Sequence, residues 1–248
     1  MYNLLSANIS RLWLNRAFWV TLLFMAMIEC SFAYILLDQN STRVDLILFA
    51  SLQVVGILIS IFYSLFLGTE YNDGTIRNKL IVGHKRETIY LASFITGTVA
   101  VTIIYFIWGG LIGGIFTLVS HASVNITISQ IMLIGLAYWL ACISYIAIFN
   151  FIGMISSNKA RTSIICILTA FILMFAGLLC YSLARPGFLP QYQVTIFQFL
   201  FDFNPYGQIF QTMSVDTITL WKLCAYALSL ITLISGFGIY IFRKKDLK

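Results

Sequence analysis

Six apolar runs recur along this chain: Ala17 to Leu37, Leu46 to Leu67, Leu91 to Ile115, Ile131 to Ile155, Ser163 to Leu183 and Leu223 to Phe242. The only charged residue inside them is Glu29. Each run is about as long as the ~20 apolar residues that one helix needs to cross a bilayer. In hydrocarbon every backbone N–H and C=O must be satisfied within the segment, so such runs predict helices, and no period-two alternation competes with that reading. The composition agrees, with 60% hydrophobic and 10% charged residues, against about 25% charged in soluble domains. No stretch between the runs is long enough to build a soluble core, so residues 1–248 read as a single transmembrane domain of an all-α membrane protein.

The first run is longer than the ~7 to 15 apolar residues of a signal peptide, so it is expected to remain as the first span. The third is embedded in an uncharged stretch from Thr88 to Ser120, too long for one upright helix. Tilt, or a break near Gly109-Gly110, is expected there. Gly109 with Gly113 and Gly110 with Gly114 make overlapping GxxxG pairs, read as sites of close helix packing. All five cysteines (Cys30, Cys142, Cys166, Cys180, Cys224) lie in the runs without CxxC spacing and read as small packing residues.

The net charge of +6 is explained by where the basic residues fall. Alternating the sides of six spans puts Arg11, Arg16, Arg77, Lys79, Lys85, Arg86, Lys159, Arg161, Arg243, Lys244, Lys245 and Lys248 on one side. Only Arg43, Arg185 and Lys222 fall on the other, twelve against three. The positive-inside rule then predicts both termini in the cytosol, and the charge needs no nucleic-acid partner. Before the first span, residues 1–16 space Leu5, Ile9, Leu12 and Trp13 as one apolar face, with Asn8, Arg11 and Asn15 elsewhere, which predicts an interfacial helix. Between the fifth and sixth spans, residues 184–222 hold every proline (Pro186, Pro190, Pro205) and many aromatics. A connection this long usually has a role, and short helices dipping into the outer leaflet or capping a cavity are expected.

The chain has no phosphate-binding loop, HExxH or G-x-S-x-G motif, and no Cys or His pair with metal spacing. His84 and His121 fall on opposite sides. No catalytic or metal-ligating residue is therefore assigned, and the chain is not expected to be an enzyme.

The densest polar constellation is the cytosolic connection at residues 68–88. Asn72-Asp73-Gly74 signals a turn, Thr75 is the expected N-cap, and Gly83 the expected stop of a short helix from Ile76 to Val82. Ile76 and Leu80 would share one face, with Arg77 and Lys79 projecting toward water or a partner. With Glu70 at the end of the second span followed by Gly74-Thr75 and this basic, apolar helix, the chain resembles the ABC-2 type transporter permeases, the membrane subunits of ATP-driven exporters. The six-span plan, N-terminal interfacial helix, long outer loop and basic C-terminus are also similar. Gly83-His84-Lys85-Arg86 departs from the Pro and Ser-Arg of many members. The resemblance implies that Glu70, Gly74, Thr75, Arg77 and Leu80 couple the permease to an ATPase. It implies two ABC ATPase copies carrying ATP and Mg, and a second permease copy, expected as a homodimer. It also implies a bacterial cell (plasma) membrane, and export of an antimicrobial peptide, drug or lipid.

Within the spans, Glu29 lies about 12 Å from the outer end of its helix, and Gln53 of the second span falls at about the same depth. Intramembrane charges are costly and turn toward protein or water, so these two residues are read either as lining a substrate path or as interhelical hydrogen-bonding groups. Two rival functions remain: an ion- or proton-coupled carrier titrating at Glu29, and a non-transporting scaffold or sensor that recruits a partner through Glu70 to Glu87.

Overall fold

The computed structural model describes residues 1–37, 53–119, 127–156, 158–185, 190–212 and 217–245, and the regular structure among them is all helical. In chain order the elements are α1 (Tyr2–Leu14), α2 (Arg16–Leu37), α3 (Val55–Asn72), α4 (Thr75–Ile81) and α5 (Arg86–Tyr105). A π-helical segment (Phe106–Gly113) and α6 (Gly114–Val119) continue α5. Then come α7 (Ile128–Ser156), α8 (Lys159–Leu183), α9 (Gln191–Phe203), α10 (Pro205–Gln211) and α11 (Thr217–Lys244).

Five stretches are long and apolar enough to cross a membrane: α3, Arg86–Leu118, α7, α8 and Ile218–Lys244. A sixth results if α1 and the Arg16–Phe32 part of α2, bent by 59° where they meet, count as one span. The chain is thus a multi-pass membrane protein with five to six candidate crossings. The bend falls at Asn15, whose backbone is extended and whose side-chain Oδ1 accepts from the Ala17 N–H at 2.8 Å, capping the start of α2. Likewise Asn158 separates α7 from α8 and accepts from the N–H groups of Ala160 and Arg161.

Helices α2, α7 and α8 coincide with the expected runs to within a few residues. Leu46 to Leu52 of the second run, and His121, lie outside the described residues. In the third run the excess length is absorbed by the π-helix, which carries Gly109 and Gly110 within one 33-residue helical stretch. Such segments widen the turn locally, and glycines offer no Cβ to resist it. Gly109 and Gly113 are buried in this segment, which packs against α2, but Gly110 is exposed. Close helix approach is clearest elsewhere, as at Gly97, where a Cβ would stand 2.5 Å from the Tyr63 ring. The last helix begins at Thr217 rather than Leu223, so Trp221 and Lys222 belong to it and not to the loop.

Helix α7 is the axis of the molecule, packing against α11, α3, α5 and α10. Its Tyr138, Tyr145 and Phe149 are fully buried. In the most apolar stretches of α3 and α7, 61% of residues are buried, against 17% in α8 and 22% in Ile218–Lys244. Helices α8 and α11 therefore turn most of their apolar surface outward. At the centre the Tyr63 hydroxyl lies 3.0 Å from Ser93 O and 2.9 Å from Asn150 Oδ1, tying α3, α5 and α7. The expected short helices between the fifth and sixth spans are α9 and α10, and they pack inward. At their turn, Asn204 Nδ2 donates to Leu173 O at 2.8 Å, in the middle of α8. Asp202 is buried and ion-paired with Lys222 at 2.5 Å.

Candidate coupling site at one end of the bundle

The polar segment after α3 folds into a compact clamp. Helix α3 continues through Gly68, Thr69 and Glu70 to Asn72, so the first five residues of the connection expected from the sequence belong to that helix. The chain then reverses at Asp73-Gly74. Gly74 has φ 64° and Gly83 has φ 93°, a region that side chains with a Cβ adopt at a cost, so both turn signals correspond to a backbone requirement. Between them α4 runs one residue ahead of the expected helix. Gly74, not Thr75, occupies the N-cap position, and the Thr75 hydroxyl instead donates back to Glu70 O at 2.7 Å.

Glu70 is completely buried and meets two cations. Arg11 of α1 donates to its Oε1 at 2.7 Å, and Lys79 of α4 reaches its two carboxylate oxygens at 3.1 and 3.2 Å. Lys79 also donates to Asn8 Oδ1 at 2.8 Å. Burial pushes the Lys79 ammonium below its ordinary pKa, and the Glu70 carboxylate works against that push. The Arg11 guanidinium lies 5.9 Å from the centre of the Phe66 ring. Three helices are thereby locked around one carboxylate.

This geometry corrects two expectations. Lys79 does not project toward water or a partner; it is turned inward, because the carboxylate at the end of α3 offers it an ion pair. The face of α1 carrying Asn8 is the buried one, together with Leu4 and Leu12, while Leu5 and Ile9 are only partly covered. Asn8 and Arg11, three residues apart on that face, are the partners that sequence reading missed. Their spacing with Leu4 and Leu12 at i, i+4 and i+8 was the available signal.

On α4, Ile76 is buried and Leu80 packs against the core from the same face, as expected. Arg77 is exposed. Beyond it stand Ile81 and Val82, 74% and 76% exposed. The site thus consists of an inner half, Glu70, Thr75 and Leu80, that fixes the helix, and an outer half, Arg77, Ile81 and Val82, that faces away. The same end of the bundle gathers further contacts. Glu87 pairs with Arg243 at 3.0 Å, and Arg86 donates to backbone carbonyls of Phe242 and Lys245. Lys245 donates to Met154 O and Ile155 O at 2.9 and 2.6 Å, capping the end of α7. Burial lowers its pKa to about 8.

Glu29 lies far from this clamp. It is fully buried on α2, which packs against the π-helical segment, and it stands within electrostatic range of Tyr138 on α7. The indole N–H of Trp108, in that π-helical segment, is buried with no hydrogen-bond partner among the described residues. Gln53 is half-buried ahead of α3 and makes no side-chain hydrogen bond among the described residues, so the two expected pathway residues are not joined directly. Among the described residues no group of three His, Cys, Asp or Glu side chains is placed to hold a metal.

No protein-family model matches this chain, and no curated protein matches it.

Proposed function

We propose that this chain is the permease subunit of an ABC-2 type exporter, crossing the membrane six times with both ends in the cytosol and coupled to a separate ATPase through α4. The observation that carries this reading is the construction of α4. A seven-residue helix is bounded by two positive-φ glycines, pinned on one side by a buried carboxylate, and exposes two large aliphatic side chains at its far end. Exposed aliphatic side chains on a rigid, polar, basic support fit insertion into an apolar cleft of a soluble partner. The orientation is supported by charge: Arg11, Lys79, Arg86, Arg243 and Lys245 converge at the α4 end of the bundle.

In this reading two ATPase subunits with ATP and Mg act on a permease homodimer in a bacterial cell membrane. The outward apolar faces of α2 and α8 meet lipid or the second copy. The substrate is an antimicrobial peptide, drug or lipid. Co-purification and reconstitution with a candidate ABC ATPase test the reading. ATP-dependent transport by the pair, absent for either component alone, is the expected result, and robust transport by this chain alone refutes it. The buried Glu29 favours a second reading, an ion-coupled carrier, and that same outcome, driven by an ion gradient, would establish it.

A further inference from the structure

Helices α8 and α11 diverge beside α7, and the α9–α10 hairpin packs against both of them above the gap. The gap is a cavity of about 840 Å³. Its walls include Phe151 of α7, Leu173 of α8, and Leu233 and Phe237 of α11, and Phe203 and the Asn204-Pro205 turn close it at the hairpin end. Apart from the weakly polar Cys180 thiol, the polar side chains that touch it are committed elsewhere. Thr169 donates to Ile165 O at 2.8 Å, while Asn204 is occupied by Leu173 O and the Tyr206 N–H. Nothing in the walls asks for a polar occupant.

The open edge of the groove continues along one stripe of α11. Leu233, Phe237, Tyr240 and Lys244 follow at steps of four, three and four residues, the spacing of one helix face. Leu233, Phe237 and Tyr240 are 65%, 57% and 54% exposed, so the chain itself leaves this face uncovered. Lys244 then ends the stripe, with its ammonium 4.2 Å from the centre of the Tyr240 ring. Leu230, another wall residue, and Tyr240 are ten residues apart, or about 15 Å along the helix. That is half of the ~30 Å hydrocarbon core, the depth of one leaflet. Apolar groove, interfacial tyrosine and terminal cation thus follow one another in the order and at the spacing of acyl chain, glycerol region and phosphate.

We propose that one acyl chain of an anionic phospholipid occupies this groove. Its phosphate lies on Lys244 and its methyl end beneath the Asn204-Pro205 turn, so that the lipid wedges α8 from α11 under the hairpin. The inference needs only a bilayer, and it stands or falls separately from ATP-driven export.

The full chain, purified in mild detergent and reconstituted in nanodiscs of mixed phosphatidylglycerol and phosphatidylcholine, is stripped gently and its retained lipid counted by native mass spectrometry. Wild type is expected to retain one phosphatidylglycerol. Leu233→Trp, which fills the groove, loses it, and Ala176→Leu does the same more mildly if the tryptophan variant fails to fold. Lys244→Glu lowers the preference for phosphatidylglycerol over phosphatidylcholine at least fivefold, since one basic residue near the surface is worth about 1 kcal/mol. Leu23→Trp, on the exposed face of α2, retains the lipid. Equal retention in the groove variants and wild type overturns the proposal, as does equal loss in Leu23→Trp. A change of oligomeric state in Leu233→Trp without loss of lipid overturns it too, and assigns the groove to a second copy.

Discussion

Removing the Glu70 carboxylate should release α1 and α4 together. In Glu70→Ala, Lys79 and Arg11 both lose their counter-ion. Their side chains are 12% and 29% exposed, so the arginine can swing toward water more readily than the lysine. Breaking a buried pair by deleting one partner costs about 3–5 kcal/mol, and the exposure of Arg11 places this case at the lower end, about 3 kcal/mol. At 1.4 kcal/mol per decade, that is about a hundredfold weaker docking of the two helices. Glu70→Gln keeps an acceptor oxygen but loses the charge, and charge-assisted bonds are about twice as strong as neutral ones, so about half the effect is expected. The double variant Glu70→Leu/Lys79→Met no longer strands a buried lysine, but it leaves Arg11 and Asn8 of α1 without their partners, so it should recover only part of the docking. Amide hydrogen exchange of α1 in detergent or nanodiscs reads the effect directly. Protection in α1 should fall about a hundredfold in Glu70→Ala, about tenfold in Glu70→Gln, and less in the double variant than in Glu70→Ala. Unchanged α1 protection in Glu70→Ala would show that the carboxylate does not hold the clamp, and the division into inner and outer halves would fall with it.

Gly74→Val should cost at least the ~1–2 kcal/mol of a left-handed residue, although a Cβ there meets nothing within 4 Å. Gly74→Asn should cost less, and equal melting temperatures for the two would remove the backbone argument. Ile81→Asp with Val82→Asp should leave insertion and α1 protection unchanged and abolish co-purification with the proposed ATPase; retained binding moves the contact elsewhere. Because the Lys245 pKa is lowered to about 8 in the folded chain, its ammonium is penalised below that pH. The stability of wild type relative to Lys245→Gln should therefore rise between pH 8 and 10, and a falling difference contradicts the burial. In a background without the five cysteines, single cysteines at Asn72 and Asn158 should react only from the cytosol and one at Gln191 only from outside. Reversal at two sites ends the six-span orientation.

Much of this was readable from hydropathy. A helix crossing a bilayer must satisfy its own backbone, so the limits of α2, α7 and α8 follow from where polar residues begin. The turns at Gly74 and Gly83 were readable because glycine after Asn-Asp, or closing a short helix, has few other uses. Thr75 was misassigned because its hydroxyl looks like a cap, whereas the left-handed Gly74 takes the capping position. Arg11 and Lys79 looked like solvated charges. Their ion-pair partner lies 59 residues away from one and nine from the other, and periodicity cannot see such a pairing. Where α9 and α10 anchor on α8 was hidden for a similar reason. What draws Asn204 to the middle of α8 is a backbone carbonyl, which carries no sequence signature.

Glu70 also bears on how a push on α4 would travel. It sits in the last turn of α3, where the helix macrodipole is negative and a carboxylate is disfavoured by about 0.3–1 kcal/mol. Its burial there is tolerable only with both cations in place, so the end of α3, helix α4 and the inner face of α1 are fixed as one body. That body is not isolated: α1 packs along α5, and the first turn of α5 is joined to the end of α11 through Glu87 and Arg243. A displacement of α4 that preserves the ion pairs must therefore carry α1 and α3 with it and load α5 and α11. A displacement that breaks them strands Lys79 in a buried site, at an energy beyond ordinary thermal motion. Under the proposed coupling through α4 the first route is favoured for that reason, and the clamp would move as a rigid body rather than flex as a hinge.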